Sequence, residues 1–146
     1  GVDDGGSGGG GGLLATASDD FSAKLFEVGT GRCTWTFKGH RNNINGIDFS
    51  PCGQYVLTGS DDGTAKLFPL HASAVWTFQG HRNVVNSARF SPDGARILTA
   101  SDDGCARTFD VHTGQPLATF DLGSPVRSAA WSPDGRSIVT AAEDGL

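Results

Sequence analysis

The sequence predicts an all-β fold of short, four-stranded antiparallel units, and three observations carry that prediction. First, the chain repeats itself. Gly-His-Arg-Asn opens at Gly39 and again at Gly80, 41 residues on. Phe49, Phe90 and Trp131 keep that step, each followed by Ser-Pro-x-Gly. So do Thr58, Thr99 and Thr140, and Asp62, Asp103 and Asp144, while an earlier copy supplies Thr16, Asp20 and Phe26. A fixed period of about 40 residues marks a repeat architecture. Second, Gly, Pro and Asp turns break each unit into short runs rich in Val, Ile, Thr, Phe and Trp, which suit a pleated surface. Third, no segment sustains the apolar period of a helix, so no helix is expected.

Taken in order, the chain opens on a glycine run, Gly5 to Gly12, interrupted only by Ser7. Such a run offers no side chains to pack and behaves as flexible linker. It stands where the other copies carry Ser-Pro-x-Gly, so it reads as an enlarged version of that turn, or else as a tail. Residues 1–12 are therefore loop or linker, and 13–38 a partial unit of three strands. In the unit 39–79, Ile44–Phe49 is the first strand. Ser50-Pro51-Cys52-Gly53 is a turn, with proline presetting φ and glycine accepting a positive one. Gln54–Ser60 is the second strand, and its run Tyr55-Val56-Leu57 suggests burial on both faces. Asp61-Asp62-Gly63 is a tight hairpin turn. Thr64–Leu70 and Ala74–Gln79 are the third and fourth strands. The unit 80–121 repeats the pattern, and 122–146 supplies two strands more. Four short strands in 41 residues make the pattern of a propeller blade.

Composition narrows the function. The formal net charge is −5, with no clustering of Lys and Arg, which argues against a nucleic-acid surface. No apolar run approaches the roughly 20 residues that span a bilayer, and no charged-then-apolar leader is present. Cys33, Cys52 and Cys105 are isolated thiols at irregular spacing, not a disulfide framework, which fits a reducing compartment. The sequence has no Met at all, so it reads as a piece of something longer.

Gly-His, Ser-Pro-x-Gly, Ser-Asp-Asp-Gly and a strand aromatic recurring in register from Leu13 to Gly145 resemble the WD-repeat β-propeller family. The resemblance implies a set of roles. In that family the Gly-His histidine, a strand Ser or Thr, the turn Asp and a strand Trp form a buried hydrogen-bonded set. By position the set is His40, Thr58, Asp62 and Phe68 in one copy, and His81, Thr99, Asp103 and Phe109 in the next. Thr16 with Asp20, and Thr140 with Asp144, are the partial counterparts. The aromatic is Phe, so no indole N–H is available and it contributes packing only. Phe26-Glu27, Phe68-Pro69 and Phe109-Asp110 stand where the family's Trp-Asp pair would be. The last copy has Asp121-Leu122-Gly123-Ser124-Pro125 in place of Gly-His, so no histidine is there for Asp144. Phe26, Phe49, Phe68, Phe90, Phe109 and Trp131 are the expected blade-core aromatics.

His, Thr and Asp invite reading as a catalytic triad, but a nucleophile needs an exposed hydroxyl with an oxyanion site nearby. Here the hydroxyl lies within an apolar strand and the set recurs in each unit, so the role is structural and no catalytic residue is assigned. The Ser-Asp-Asp-Gly turns lack the alternating acids of a calcium loop. In the first copy the text is Ser18-Asp19-Asp20-Phe21. The glycine run contains GxGxxG, but no complete strand precedes it and no Lys follows, so phosphate binding is not expected. His71 and His112 read as solvent-facing turn residues rather than metal ligands. No metal or cofactor is expected. Trp35 and Trp76 belong to outer strands, as packing or as a contact.

What remains is surface. The loop before the first strand and the turn after the second fall on one rim of the disc. Arg41, Asn42, Asn43 and Asn45, with Arg82, Asn83 and Asn86, gather there, and Arg127 aligns with Asn45 and Asn86. Asp19, Asp61, Asp102 and Glu143 sit beside them. Arg and Asn on small turns of a rigid scaffold suit polar recognition. About three and a quarter blades fall short of the roughly 4–8 of a closed propeller. The chain therefore reads as an arc of a larger one, of seven blades as that family often has, with its remaining blades as partners. The expected function is a non-catalytic scaffold for other proteins in a larger assembly, cytoplasmic or cytoskeletal, with no membrane or nucleic-acid partner. Two alternatives stay open: a regulatory or substrate-docking module of a multidomain enzyme, and a small-molecule or lipid binder.

Overall fold

A computed structural model describes residues 11–143. Among the described residues there are thirteen strands and no helix, in four antiparallel sheets. The first sheet holds β1 (Leu13–Ala17), β2 (Ala23–Glu27) and β3 (Cys33–Phe37). The second holds β4 (Ile44–Phe49), β5 (Tyr55–Ser60), β6 (Ala65–Pro69) and β7 (Trp76–Phe78). The third holds β8 (Val85–Phe90), β9 (Arg96–Ser101), β10 (Cys105–Asp110) and β11 (Pro116–Asp121), and the last β12 (Val126–Trp131) and β13 (Ile138–Ala142). Neighbours in each sheet are consecutive in sequence, so each is a meander, and the all-β fold of antiparallel blades is the one expected. Most of the glycine run, and Asp144, lie outside the described residues.

The turns follow from their residues. In each Ser-Pro-x-Gly the glycine takes a positive φ, +72° at Gly53, +73° at Gly94 and +70° at Gly135, and its N–H bonds the serine carbonyl at 2.9 Å. Gly63 and Gly104 take φ +82° and +88° in the next turn. Phe21 holds the corresponding place in the first sheet at φ +66°, a region that disfavours a side chain.

The core lies between sheets. Val56 packs with Ala23, Leu25 and Phe37 of the first sheet, while its neighbour Leu57 packs with Ala88, Phe90 and Ile97 of the third. Adjacent side chains point to opposite faces, and both faces of β5 are covered, which is why an uninterrupted apolar run forms a strand here. Ile97 and Leu98 do the same one sheet on, with Leu98 against Val126 and Ala129. Gly59 sits at the closest approach: a Cβ there would lie 2.8 Å from Val85 Cγ1.

The alternation of strand direction puts the Gly-His loops and Ser-Asp-Asp-Gly turns on one rim. The Ser-Pro-x-Gly turns and the connections between third and fourth strands fall on the opposite rim. The fourth strand expected at Ala74–Gln79 forms only over Trp76–Phe78. Pro69 explains this. It occupies the place of Glu27 and Asp110, whose N–H groups close the same connection in the first and third sheets.

Candidate functional site

Two copies of a three-residue cluster join the Gly-His loop to the hairpin turn. His40 Nδ1 lies 2.8 Å from Asp62 Oδ2, and its Nε2 lies 2.6 Å from Thr58 Oγ1. His81, Asp103 and Thr99 repeat this at 2.8 and 2.7 Å. Asp62 also accepts from the Arg41 N–H at 3.0 Å, the Thr64 N–H at 3.0 Å and the Thr64 hydroxyl at 2.6 Å. Burial pushes the Asp62 carboxyl upward, but those donors and His40 outweigh it and hold the group down at about 2. Burial pushes His40 and His81 below their ordinary value, and the facing carboxylates offset only part of that. With burial favouring the neutral ring, Nδ1–H donates to the carboxylate and Nε2 accepts the threonine proton, for which the Lys66 and Arg107 carbonyls, at 3.3 and 3.4 Å, are the more distant acceptors. Thr58 and Thr99 have no exposed surface, so their hydroxyls meet no substrate from solvent.

The outer copies differ. Among the described residues, no imidazole meets Asp20. It accepts instead from the Ser22 N–H at 3.1 Å, the Ser22 hydroxyl at 2.5 Å and Lys24 Nζ at 2.9 Å, and it is exposed. Thr16 is half-buried and pairs with Lys24 across β1 and β2, so the expected set is not assembled there. Thr140 is half-buried on β13.

The six aromatics divide as well. Phe68, Phe90 and Phe109 are buried, with Phe68 centred 5.3 Å from Phe37 and Phe109 5.6 Å from Phe78. Phe26, Phe49 and Trp131 are only half-buried. Phe26 and Trp131 belong to the two outer sheets of the described arc, and Phe49 ends the first strand of its sheet. The Arg96 guanidinium covers the Trp131 ring at 4.6 Å.

The rim residues divide in a way the sequence did not suggest. Asn45, Asn86 and Arg127 are the residues skipped in the pairing of β4, β8 and β12, and each is turned toward a neighbour. The Asn45 amide donates to Asp61 at 2.5 Å and to the Val85 carbonyl of the next sheet at 3.1 Å. Asn86 donates to Asp102 at 2.7 Å and the Val126 carbonyl at 2.9 Å. Arg127 bridges Asp102, at 2.7 Å, and Glu143. Asn42 and Asn83 use their side chains to accept the next residue's N–H, at 2.9 and 2.8 Å. Arg41, Asn43 and Arg82 are exposed, and among the described residues no hydrogen bond engages their side chains. Their loops are fixed from below: the Asp61 N–H donates to the Asn43 carbonyl at 2.8 Å, and the Arg82 N–H to Asp103 at 3.1 Å.

Sequence reasoning also missed two bonds on the opposite rim. Asp48 accepts the Phe90 N–H at 2.9 Å, and Arg96 donates to the Gly135 carbonyl at 2.9 Å. Neither residue recurs at the 41-residue step, so the repeat gave no signal for them. His71 and His112 are exposed. Among the described residues, no three His, Cys, Asp or Glu side chains converge as metal ligands.

A family model described as WD domain, G-beta repeat matches residues 31–68, 72–110 and 114–146. Among curated proteins, a Lissencephaly-1 homolog of Heterostelium pallidum is 47% identical over 45 residues, 31% of this chain and 11% of that protein. A nuclear distribution protein PAC1 of Arthroderma otae is 39% identical over 61 residues, 42% of this chain and 13% of that protein. WD repeat-containing protein 37 of Homo sapiens is 41% identical over 56 residues, 38% of this chain and 11% of that protein. The chain thus spans about an eighth or less of the length of these relatives.

Proposed function

Because the chain belongs to the WD domain, G-beta repeat family, we propose that it is a non-catalytic docking module, an arc of a propeller that holds other proteins in a cytoplasmic assembly. The observation that carries this reading is the division of its polar side chains. Those that resemble catalytic machinery are buried and bonded to one another, as His81 is to Asp103 and Thr99. Arg41, Asn43 and Arg82 are exposed on one rim, and among the described residues no hydrogen bond engages their side chains. Their loops are pinned by main-chain bonds, so a partner meets side chains on an ordered frame and less entropy is lost on binding. A guanidinium offers two parallel donors, which suits a carboxylate on the partner.

The test pairs two substitutions. Arg41→Glu with Arg82→Glu is expected to abolish partner capture in a pull-down with the chain as bait, with the circular dichroism spectrum unchanged. Asp103→Ala is expected to lose the spectrum first. Capture that survives the paired charge reversal sinks the rim as the docking face.

A further inference from the structure

The second blade departs from its neighbours on the rim opposite Arg41. In the first and third sheets, the residue after the aromatic of β2 or β10 closes the turn to β3 or β11. The Glu27 N–H donates to the Arg32 carbonyl at 2.9 Å, and the Asp110 N–H to the Gln115 carbonyl at 2.9 Å. Gly31 and Gly114, at φ +70° and +72°, bond back to Glu27 and Asp110 at 2.8 and 2.9 Å. In the second sheet Pro69 has no N–H to give, and Ser73 stands where the glycine would. The pairings Phe26 with Cys33 and Phe109 with Pro116 have no counterpart at Phe68, and β7 begins only at Trp76.

Between the outer parts of the second and third blades lies a groove of about 340 Å³. Tyr55, Leu67 and Trp76 line it from one side and Phe90 and Val111 from the other. Trp76 is 48% exposed and stands edge-on to Tyr55 at 6.4 Å. Asp93 also lines the groove, its Oδ1 held by the Ser91 hydroxyl at 2.6 Å and the Ala95 N–H at 3.0 Å. The site therefore combines an apolar slot, an exposed tryptophan and a fixed negative charge.

We propose that this groove docks a segment of a partner protein, with one large apolar side chain in the slot and a basic residue next to it facing Asp93. The apolar anchor follows from the aromatic walls, and the basic neighbour from charge complementarity with the carboxylate. This docking is independent of the Arg41 and Arg82 rim, since it uses the other face of the arc.

The test is fluorescence polarisation of the whole chain with a labelled peptide Gly-Ser-Arg-Phe-Arg-Ser-Gly and its counterpart with Glu in place of Arg. The basic peptide is expected to saturate below about 1 mM, and the acidic one to bind at least several-fold more weakly. Trp76→Ala, at an exposed position, is expected to weaken binding about tenfold. Pro69→Asp with Ser73→Gly gives the second blade the turn of the third. It is expected to cost a similar factor while leaving thermal stability equal or higher, which separates a closed groove from a damaged fold. Arg82→Glu is expected to change nothing. Failure of the basic peptide to bind by about 1 mM overturns the proposal. So does equal binding of the acidic one, or affinity that ignores both Trp76→Ala and the rebuilt turn.

Discussion

The side chain of Asn45 reaches across a blade boundary and donates to the main-chain carbonyl of Val85 at 3.1 Å. Asn86 makes the same reach to Val126 at 2.9 Å. Hydrophobic packing between sheets is non-directional, so it resists separation more than sliding. These directional bonds fix how one blade sits on the next.

Removing the staple is therefore expected to loosen the arc without touching its core. Asn86→Ala leaves the Asp102 carboxylate one donor short, and takes the side-chain donor from the Val126 carbonyl. The expected cost is about 1–3 kcal/mol, read as a shift of the urea midpoint. Asn83→Ala, on the same rim but bonded only to the next N–H, is expected to stay within about 0.5 kcal/mol. Equal midpoints for the two variants would remove the staple from the account.

Gly59→Ala tests the closest approach between blades. The added methyl would meet Val85 Cγ1 at 2.8 Å and Ala88 Cβ at 3.3 Å, both in the third sheet. Ala100 holds the same position one unit on and is fully buried without conflict, so the third boundary is wider. Gly59→Ala is expected to destabilise by about 1–3 kcal/mol in denaturant unfolding, whereas Ala100→Gly only loses packing. A neutral Gly59→Ala would show that the boundary relaxes.

The strands were legible because turn residues and alternating patterns are local. Ile44–Phe49 is found with its expected bounds, and the count of strands in each sheet follows from the repeat. The fourth strand of the second sheet was misjudged because Val75 and Trp76 have strand propensity, while its start depends on an N–H that Pro69 lacks. The pairing of His40 with Asp62 follows the family pattern and is bonded as that pattern implies. The fate of Asn45 was not legible. Its neighbours Arg41, Asn42 and Asn43 are equally polar, and only the bulge at Asn45 turns that side chain toward the third sheet. A one-residue change in strand register has no signature in residue type.

Phe21 carries a conformational cost that can be removed. It takes φ +66° in a turn where Gly63 and Gly104 serve the later units. For a residue with a side chain this region costs roughly 1–2 kcal/mol. Phe21 is 40% exposed, so truncation forfeits only part of its burial. Phe21→Gly is expected to raise the unfolding midpoint by about 1 kcal/mol equivalent. A fall in stability would mean that the ring contributes more packing than its exposure indicates.

The two buried histidines set the pH dependence near neutrality. Burial lowers both, and Asp62 and Asp103 restore only part of that. The folded chain thus keeps them neutral at a pH where the unfolded chain takes up protons, around 6.5. The unfolded state then binds more protons, and stability falls as pH falls below that value. The carboxylates act in a lower window. Asp62 is held at about 2, so its contribution persists until the pH drops below the ordinary carboxylate range. Between pH 7 and 5 the histidines therefore govern. The urea midpoint is expected to drop over that interval. His40→Gln with His81→Gln is expected to be less stable at pH 7 but flatter with pH. A wild-type midpoint that rises on acidification would reverse the assignment of neutral rings.

Asp103 and Asp20 occupy corresponding turns but carry different loads. The Asp103 side chain is 8% exposed and accepts from His81, the Arg82 N–H and the Cys105 N–H. Its removal strands three donors in a region with little water, at an expected cost of about 2–3 kcal/mol. The Asp20 side chain is 58% exposed, and its donors Ser22 and Lys24 lie within four residues. Water replaces it there, so Asp20→Ala is expected to leave the melting temperature nearly unchanged. The repeat makes the two positions equivalent in sequence, and the histidine makes them different in energy. Asp103→Ala in a His81→Gln background separates these terms. If the histidine is the source of the difference, the double variant is expected to cost less than the sum of the single ones, because the loop has already lost its tie to the turn. Additive losses would show that the carboxylate acts mainly through the two main-chain N–H groups.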